Sequence, residues 1–122
     1  MILVDTSVWI DHFRGKESRL RDWLEQGIVL MHPFVLGELA CGNLKNRSSV
    51  LNMMSNLPSA VTARDKEVLG FIEKRSLYGR GLGYIDMHLL AAAALTGGAS
   101  LCSLDTRVQT IAEEIGVGIK EA

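Results

Sequence analysis

The chain has 122 residues, 48% hydrophobic and 22% charged, with 13 basic and 14 acidic side chains and a formal net charge of −1. That length predicts one domain, residues 1–122, able to bury roughly two-thirds of its unfolded surface without staples. The composition excludes low-complexity and disulfide-rich classes, and the balanced charge gives no bulk electrostatic footprint for nucleic acid.

Cys41 and Cys102 lack the paired spacing of a zinc site and read as small core residues of a reduced, cytoplasmic protein. Asp5 and Asp11 interrupt the start of the chain, against a secretory signal. The longest strongly apolar stretch, Leu89 to Leu95, falls far below the roughly 18 residues of a membrane span, so a soluble protein without membrane association is expected.

In chain order, Met1-Ile2-Leu3-Val4 followed by Asp5-Thr6-Ser7 predicts a buried strand that ends abruptly in polar groups. In open α/β sheets ligands gather beyond the carboxyl ends of strands, which gives Asp5 a functional position; the alternative is a helix N-cap. Val8–Phe13 reads as a short helix. Leu20, Trp23 and Leu24 at helical spacing, with Gly27 as a stop, predict a second helix over Glu17–Gln26. Ile28–Met31 is the next buried strand, and Pro33 opens a helix to Cys41.

Lys45–Asn56 forms another helix, ended by Pro58, and a short strand is placed over Ser59–Val61. Arg64–Tyr78 carries one apolar stripe. Gly79-Arg80-Gly81-Leu82-Gly83 does not fit the dinucleotide fingerprint, which needs a different glycine spacing directly after a strand, and reads as a loop. Tyr84–Thr96 predicts a helix buried on most sides, Ser100–Leu104 a strand, and Val108, Ile111, Ala112 and Ile115 a last helix, before an edge strand over Val117–Ile119. Alternating strands and helices predict an α/β protein, a three-layer α/β/α sandwich around a mostly parallel sheet of four to five strands.

Four acids stand in apolar contexts: Asp5 and Asp105 at strand ends, Glu38 and Asp86 inside helices. Buried carboxylates need a partner or a metal, and no basic residue lies one helical turn from Glu38 or Asp86. If these elements converge, they make an oxygen-only site suited to Mg²⁺ or Mn²⁺, of the kind that acts on phosphates. Singly, each has a simpler reading: a solvated Glu38, a dipole-favoured Asp86, an N-capping Asp105.

The blocks Met1-Ile2-Leu3-Val4-Asp5-Thr6-Ser7-Val8-Trp9-Ile10-Asp11-His12, His32-Pro33-Phe34-Val35-Leu36-Gly37-Glu38-Leu39-Ala40 and Gly83-Tyr84-Ile85-Asp86-Met87-His88-Leu89-Leu90-Ala91, with Asp105 after them, resemble the acidic blocks of PIN-domain ribonucleases. More narrowly, the chain is similar to the VapC toxins of type II toxin–antitoxin pairs. It departs from many of them after Asp105, where Thr106-Arg107-Val108 stands in place of a bulkier aromatic position.

The resemblance implies a Mg²⁺-dependent endoribonuclease, a homodimer, and a cognate antitoxin that blocks the site, its helix lying in an apolar groove. By the same resemblance Asp5 and Asp86 are the direct metal ligands, Glu38 and Asp105 complete the acid set, and Ser7, or else Thr6, hydrogen-bonds a site carboxylate or the scissile phosphate. Candidate RNA phosphate contacts are Arg14, Lys16, Lys45, Arg47, Lys74, Arg75 and, foremost, Arg80. Trp9 and Trp23 are placed in the core, and His12, His32 and His88 receive no role.

Two other classes compete. An aspartyl-phosphate phosphohydrolase usually carries a second acid two residues after the first, where this chain has Ser7. A non-catalytic PIN-like or receiver-like binding module is the second; a receiver pairs its acids near the first strand, and an inactive PIN module is expected to have lost one of the four.

Overall fold

A computed structural model describes residues 1–119. The elements run β1 (Ile2–Val4), α1 (Thr6–Phe13), α2 (Arg19–Glu25), β2 (Val29–Leu30), α3 (Pro33–Ala40), α4 (Arg47–Ser55), α5 (Asp65–Lys74), α6 (Tyr84–Leu95), β3 (Ser100–Cys102) and α7 (Thr106–Glu114).

The sheet is parallel, in the order β2-β1-β3. Ile2 and Leu3 pair with Val29 and Leu30 on one side, and Ile2, Leu3 and Val4 with Ser100, Leu101 and Cys102 on the other. β1 is thus the central strand, and Leu3 and Val4 are fully buried. The chain leaves β1 toward one edge through α1 and α2 and reaches the other edge through α3 to α6. Right-handed crossovers in opposite directions put these helices on opposite faces and make the tip of β1 the switch point where ligands bind in such sheets.

The sheet has three strands where four to five were expected. The expected strands at Ser59–Val61 and Val117–Ile119 reduce to single parallel bridges, Met31 with Ser59 and Leu101 with Gly118. At the first edge Met31 N–H donates to Pro58 O (2.8 Å) and Ala60 N–H to Met31 O (2.9 Å). Pro58 has no N–H to extend the ladder, and the Val61 N–H is diverted to Thr96 Oγ1 at 2.9 Å. At the second edge Gly118 passes so close to α7 that a Cβ there would stand 2.6 Å from Glu113 Cγ and 3.0 Å from its Cα.

Helix ends follow local capping. α1 begins at Thr6 rather than Val8 because Asp5 caps it, accepting from Thr6 N–H at 2.7 Å. α5 stops at Lys74 instead of reaching Tyr78, because Ser76 takes φ 53° and turns Leu77 back into the core. α6 is buried from Met87 through Ala93, as its alanine-rich sequence predicts. Of the two cysteines, Cys102 is in the core but Cys41 is exposed, since it falls just past the end of α3 where the chain turns outward.

His32 caps α3: its Nδ1 accepts from Phe34 N–H at 3.0 Å, and the ring is fully buried. An Nδ1 that accepts leaves the proton on Nε2. The ring of His88, also buried, lies 6.3 Å away and reaches Asp65 Oδ1 through Nε2 at 3.0 Å. Burial, and secondarily the neighbouring His88, lower the His32 pKa from 6.5 to about 4.

Two outcomes follow from this packing. Gly118→Ala forces the edge of the sheet off α7 and costs about 1–3 kcal/mol, read as a lower urea midpoint with unchanged slope. His32 is neutral in the fold but takes up a proton when unfolded below about pH 6.5. Stability that is complete above that pH is therefore lost as pH falls toward about 4, up to about 3 kcal/mol from this group. His32→Asn keeps a capping acceptor, and its urea midpoint should fall less steeply than the wild-type midpoint between pH 7 and 4.5.

Candidate metal and phosphate site

Three of the four acids are fixed by the helices they begin. Asp5 is the N-cap of α1, and Asp105 is the N-cap of α7, accepting from Arg107 N–H at 2.9 Å. Asp86 lies in the first turn of α6 and reaches back to accept from Gly83 N–H at 3.1 Å. The capping reading and the clustering reading therefore both hold, because a cap occupies only part of a carboxylate. Three helix N-termini converge beyond the carboxyl ends of β1 and β3, and their partial positive charges favour acids there.

Asp5 is the centre of the arrangement and is only 8% exposed. Its Oδ1 takes the cap bond, while Oδ2 accepts from Ser103 Oγ at 2.7 Å and Ser7 Oγ at 3.1 Å. Each hydroxyl works twice: Ser7 Oγ accepts from Leu104 N–H at 3.2 Å and Ser103 Oγ from Asp105 N–H at 3.0 Å. The tips of β1 and β3 are thereby tied to one carboxylate oxygen.

Glu38, on α3, is exposed, and its Oε1 accepts from Thr6 Oγ1 at 2.8 Å. Ser7 and Thr6 thus both hold site carboxylates, but different ones. Ser103 was not singled out by sequence; a serine two residues before an acid at a strand end is the signal that marks it.

Asp86 senses the whole cluster. Its pKa is raised chiefly by burial; the Gly83 hydrogen bond pulls it down, and the charges of Asp5, Asp105 and Glu38 each add a smaller upward push. Asp105 is shifted the other way, below the usual carboxylate range, by the Arg107 guanidinium and its backbone N–H. The structure thus gathers Asp5, Ser7, Glu38, Asp86 and Asp105 at one end of the sheet.

Among the described residues no group of three or more His, Cys, Asp and Glu side chains is already disposed as a metal cage. The carboxylates stand within electrostatic reach of one another, each with oxygens turned to a local donor. The donor set is nonetheless all oxygen, which suits a hard divalent cation.

Arg80 is placed differently from the other candidates. Its guanidinium makes a two-pronged ion pair with Glu114, at 2.5 and 2.8 Å. Glu114 closes α7, the helix that Asp105 opens.

A cleft of about 390 Å³ runs beside Glu38, lined by Ile10 and Phe13 of α1, Leu39 of α3 and Leu44 and Val50 farther along. Ile10 and Phe13 are each 38% exposed within it. It offers an elongated apolar surface that ends at the acid cluster.

Residues 2–114 match the PIN domain family. The chain is also 44% identical over 121 residues to "Ribonuclease VapC32" from two strains of Mycobacterium tuberculosis, CDC 1551 / Oshkosh and ATCC 25618 / H37Rv, covering 99% of this chain and 98% of each relative. An α/β fold with a parallel sheet, an acid cluster at its switch point and similarity along nearly the full length agree: the chain belongs to the PIN domain family and is of the VapC type.

Proposed function

We propose that this protein is a divalent-metal-dependent endoribonuclease, the toxin of a toxin–antitoxin pair, acting in the cytoplasm. The observation that carries the reading is Asp86, a carboxyl whose pKa is raised first by its partial burial and then by the charges of Asp5, Asp105 and Glu38. Such a cluster is an electrostatic strain that a divalent cation relieves. The ribonuclease name of the relatives supplies the substrate class.

Asp5 and Asp86 would hold the cation, Mg²⁺ or Mn²⁺, with Glu38 and Asp105 completing the set. When bound, the cation supplies Lewis-acid polarisation of a phosphoryl oxygen and a more acidic water. The chain's own part is orientation. Ser7 and Ser103 fix the plane of the Asp5 carboxylate through Oδ2, and Thr6 steers Glu38 across from α3. Such bonds to ligand carboxylates set their direction and typically govern metal affinity by 10- to 100-fold, roughly. None of the three hydroxyls is needed as a nucleophile.

The antitoxin would occupy the apolar cleft between α1 and α3–α4, where an amphipathic partner helix finds Ile10, Phe13, Leu39 and Val50. Because Glu38 lines the same cleft, a partner seated there covers the acids and excludes RNA. A homodimer is part of the proposal. Among the described residues no helix is long and apolar enough to cross a membrane.

The test is cleavage of a structured RNA pool by purified protein with Mg²⁺ or with EDTA, comparing wild type with Asp5→Asn and Asp86→Asn. Cleavage should require Mg²⁺ and fall by more than about 100-fold in both variants. Removing one of four like charges should also raise the melting temperature of metal-free Asp86→Asn by a few degrees, roughly, while abolishing the further rise that Mn²⁺ gives the wild type. Equal cleavage by wild type and variants, or no metal-induced rise in the wild type, would shift the reading to a non-catalytic binding module.

A further inference from the structure

Among the described residues, Arg107 is the basic side chain that ion-pairs with a member of the acid cluster. It lies side-on to Asp105, Nε 3.4 Å from Oδ1 and Nη2 3.3 Å from Oδ2, both at the outer limit of a hydrogen bond. Its side chain is 63% exposed. On its other flank is Gly81, with φ 85°, where a Cβ would stand 3.0 Å from Arg107 Nη1.

Arg107 also lines a cleft of about 180 Å³ with Arg80, Thr106, Thr110 and Ile111. The two arginines are held very differently. Arg80 is clamped to Glu114 by two short bonds that raise its pKa further. Arg107 is held by two long ones.

We propose that Arg107 binds a phosphate of the substrate strand, and that in the free protein it serves as the counter-ion of Asp105 until a divalent cation takes over that role. The proposal rests on the ribonuclease reading above. An exposed ion pair with long contacts is weak, and what strengthens it here is the surplus of negative charge behind Asp105. A divalent cation held by Asp5 and Asp86 removes that surplus and with it the reason for Arg107 to stay. The released guanidinium carries a planar fork that matches phosphate oxygens, and it borders a cleft lined by Thr106 and Thr110. The site is then cationic toward RNA only when it is loaded for cleavage.

Two titrations on full-length wild type, Arg107→Gln and Arg107→Lys test this. In calorimetry with Mn²⁺ alone, Arg107→Gln should bind metal about two- to fivefold more tightly, because a competing cation is gone. In fluorescence anisotropy with a labelled mixed-sequence 2′-O-methyl oligonucleotide in Ca²⁺, the same variant should bind more weakly, with the slope of log Kd against log salt reduced by about 0.7. Arg107→Lys should restore both values toward wild type. The cap of α7 uses the backbone N–H of residue 107, so matching melting temperatures are expected. Unchanged or weaker Mn²⁺ binding in Arg107→Gln, or an unchanged salt slope, overturns the role of Arg107 alone. A wild type that binds neither Mn²⁺ nor the oligonucleotide overturns the ribonuclease reading with it.

Discussion

Like charges at close quarters are the constraint on which this structure turns. Four carboxylates share the carboxyl edge of a small sheet, and the fold holds them there without a basic residue at the centre. Three begin helices, where the backbone N–H groups of the first turn are unsatisfied and the helix dipole favours an acid. The same bonds that end the orphan donors of α1, α6 and α7 therefore hold Asp5, Asp86 and Asp105 at one end of the sheet. Capping and clustering are one device, and the raised pKa of Asp86 records first its burial and then the charges of its neighbours.

This accounts for what could be read from the sequence. The strand tips and helix starts are local events, written in apolar runs followed by Asp, Thr or Ser, and they were legible residue by residue. The four acids were legible as residues in apolar contexts, while their convergence was only a condition there, supported by the resemblance to PIN-domain ribonucleases. What escaped is set by partners far apart in the chain. Ser103 acquires its role from Asp5, 98 positions away, and Arg80 finds its ion-pair partner in Glu114, 34 positions away. No window of sequence contains either pair.

The edge strands failed for a related reason. A β-branched or apolar triplet states a preference, but a strand needs a neighbour whose donors and acceptors are free. At Val61 the donor is spent on Thr96, and at Gly118 the approach of α7 decides the path of the chain. Cys41 shows the same limit: its residue type favours burial, yet its position one step beyond α3 places it outside. Composition sets what a residue prefers, and the ends of elements set what it gets.

The bond from Ser103 to Asp5 has a consequence in time as well as in space. β1 precedes β3 by some 98 residues, and its tip is incomplete until β3 has paired beside it. A contact of that sequence separation forms late, after the loop-closure cost of nearly the whole chain has been met. The carboxylate that organises the site is therefore without one of its two hydroxyl supports, and without Asp105 as a neighbour, until β3 and the start of α7 have come to rest beside β1.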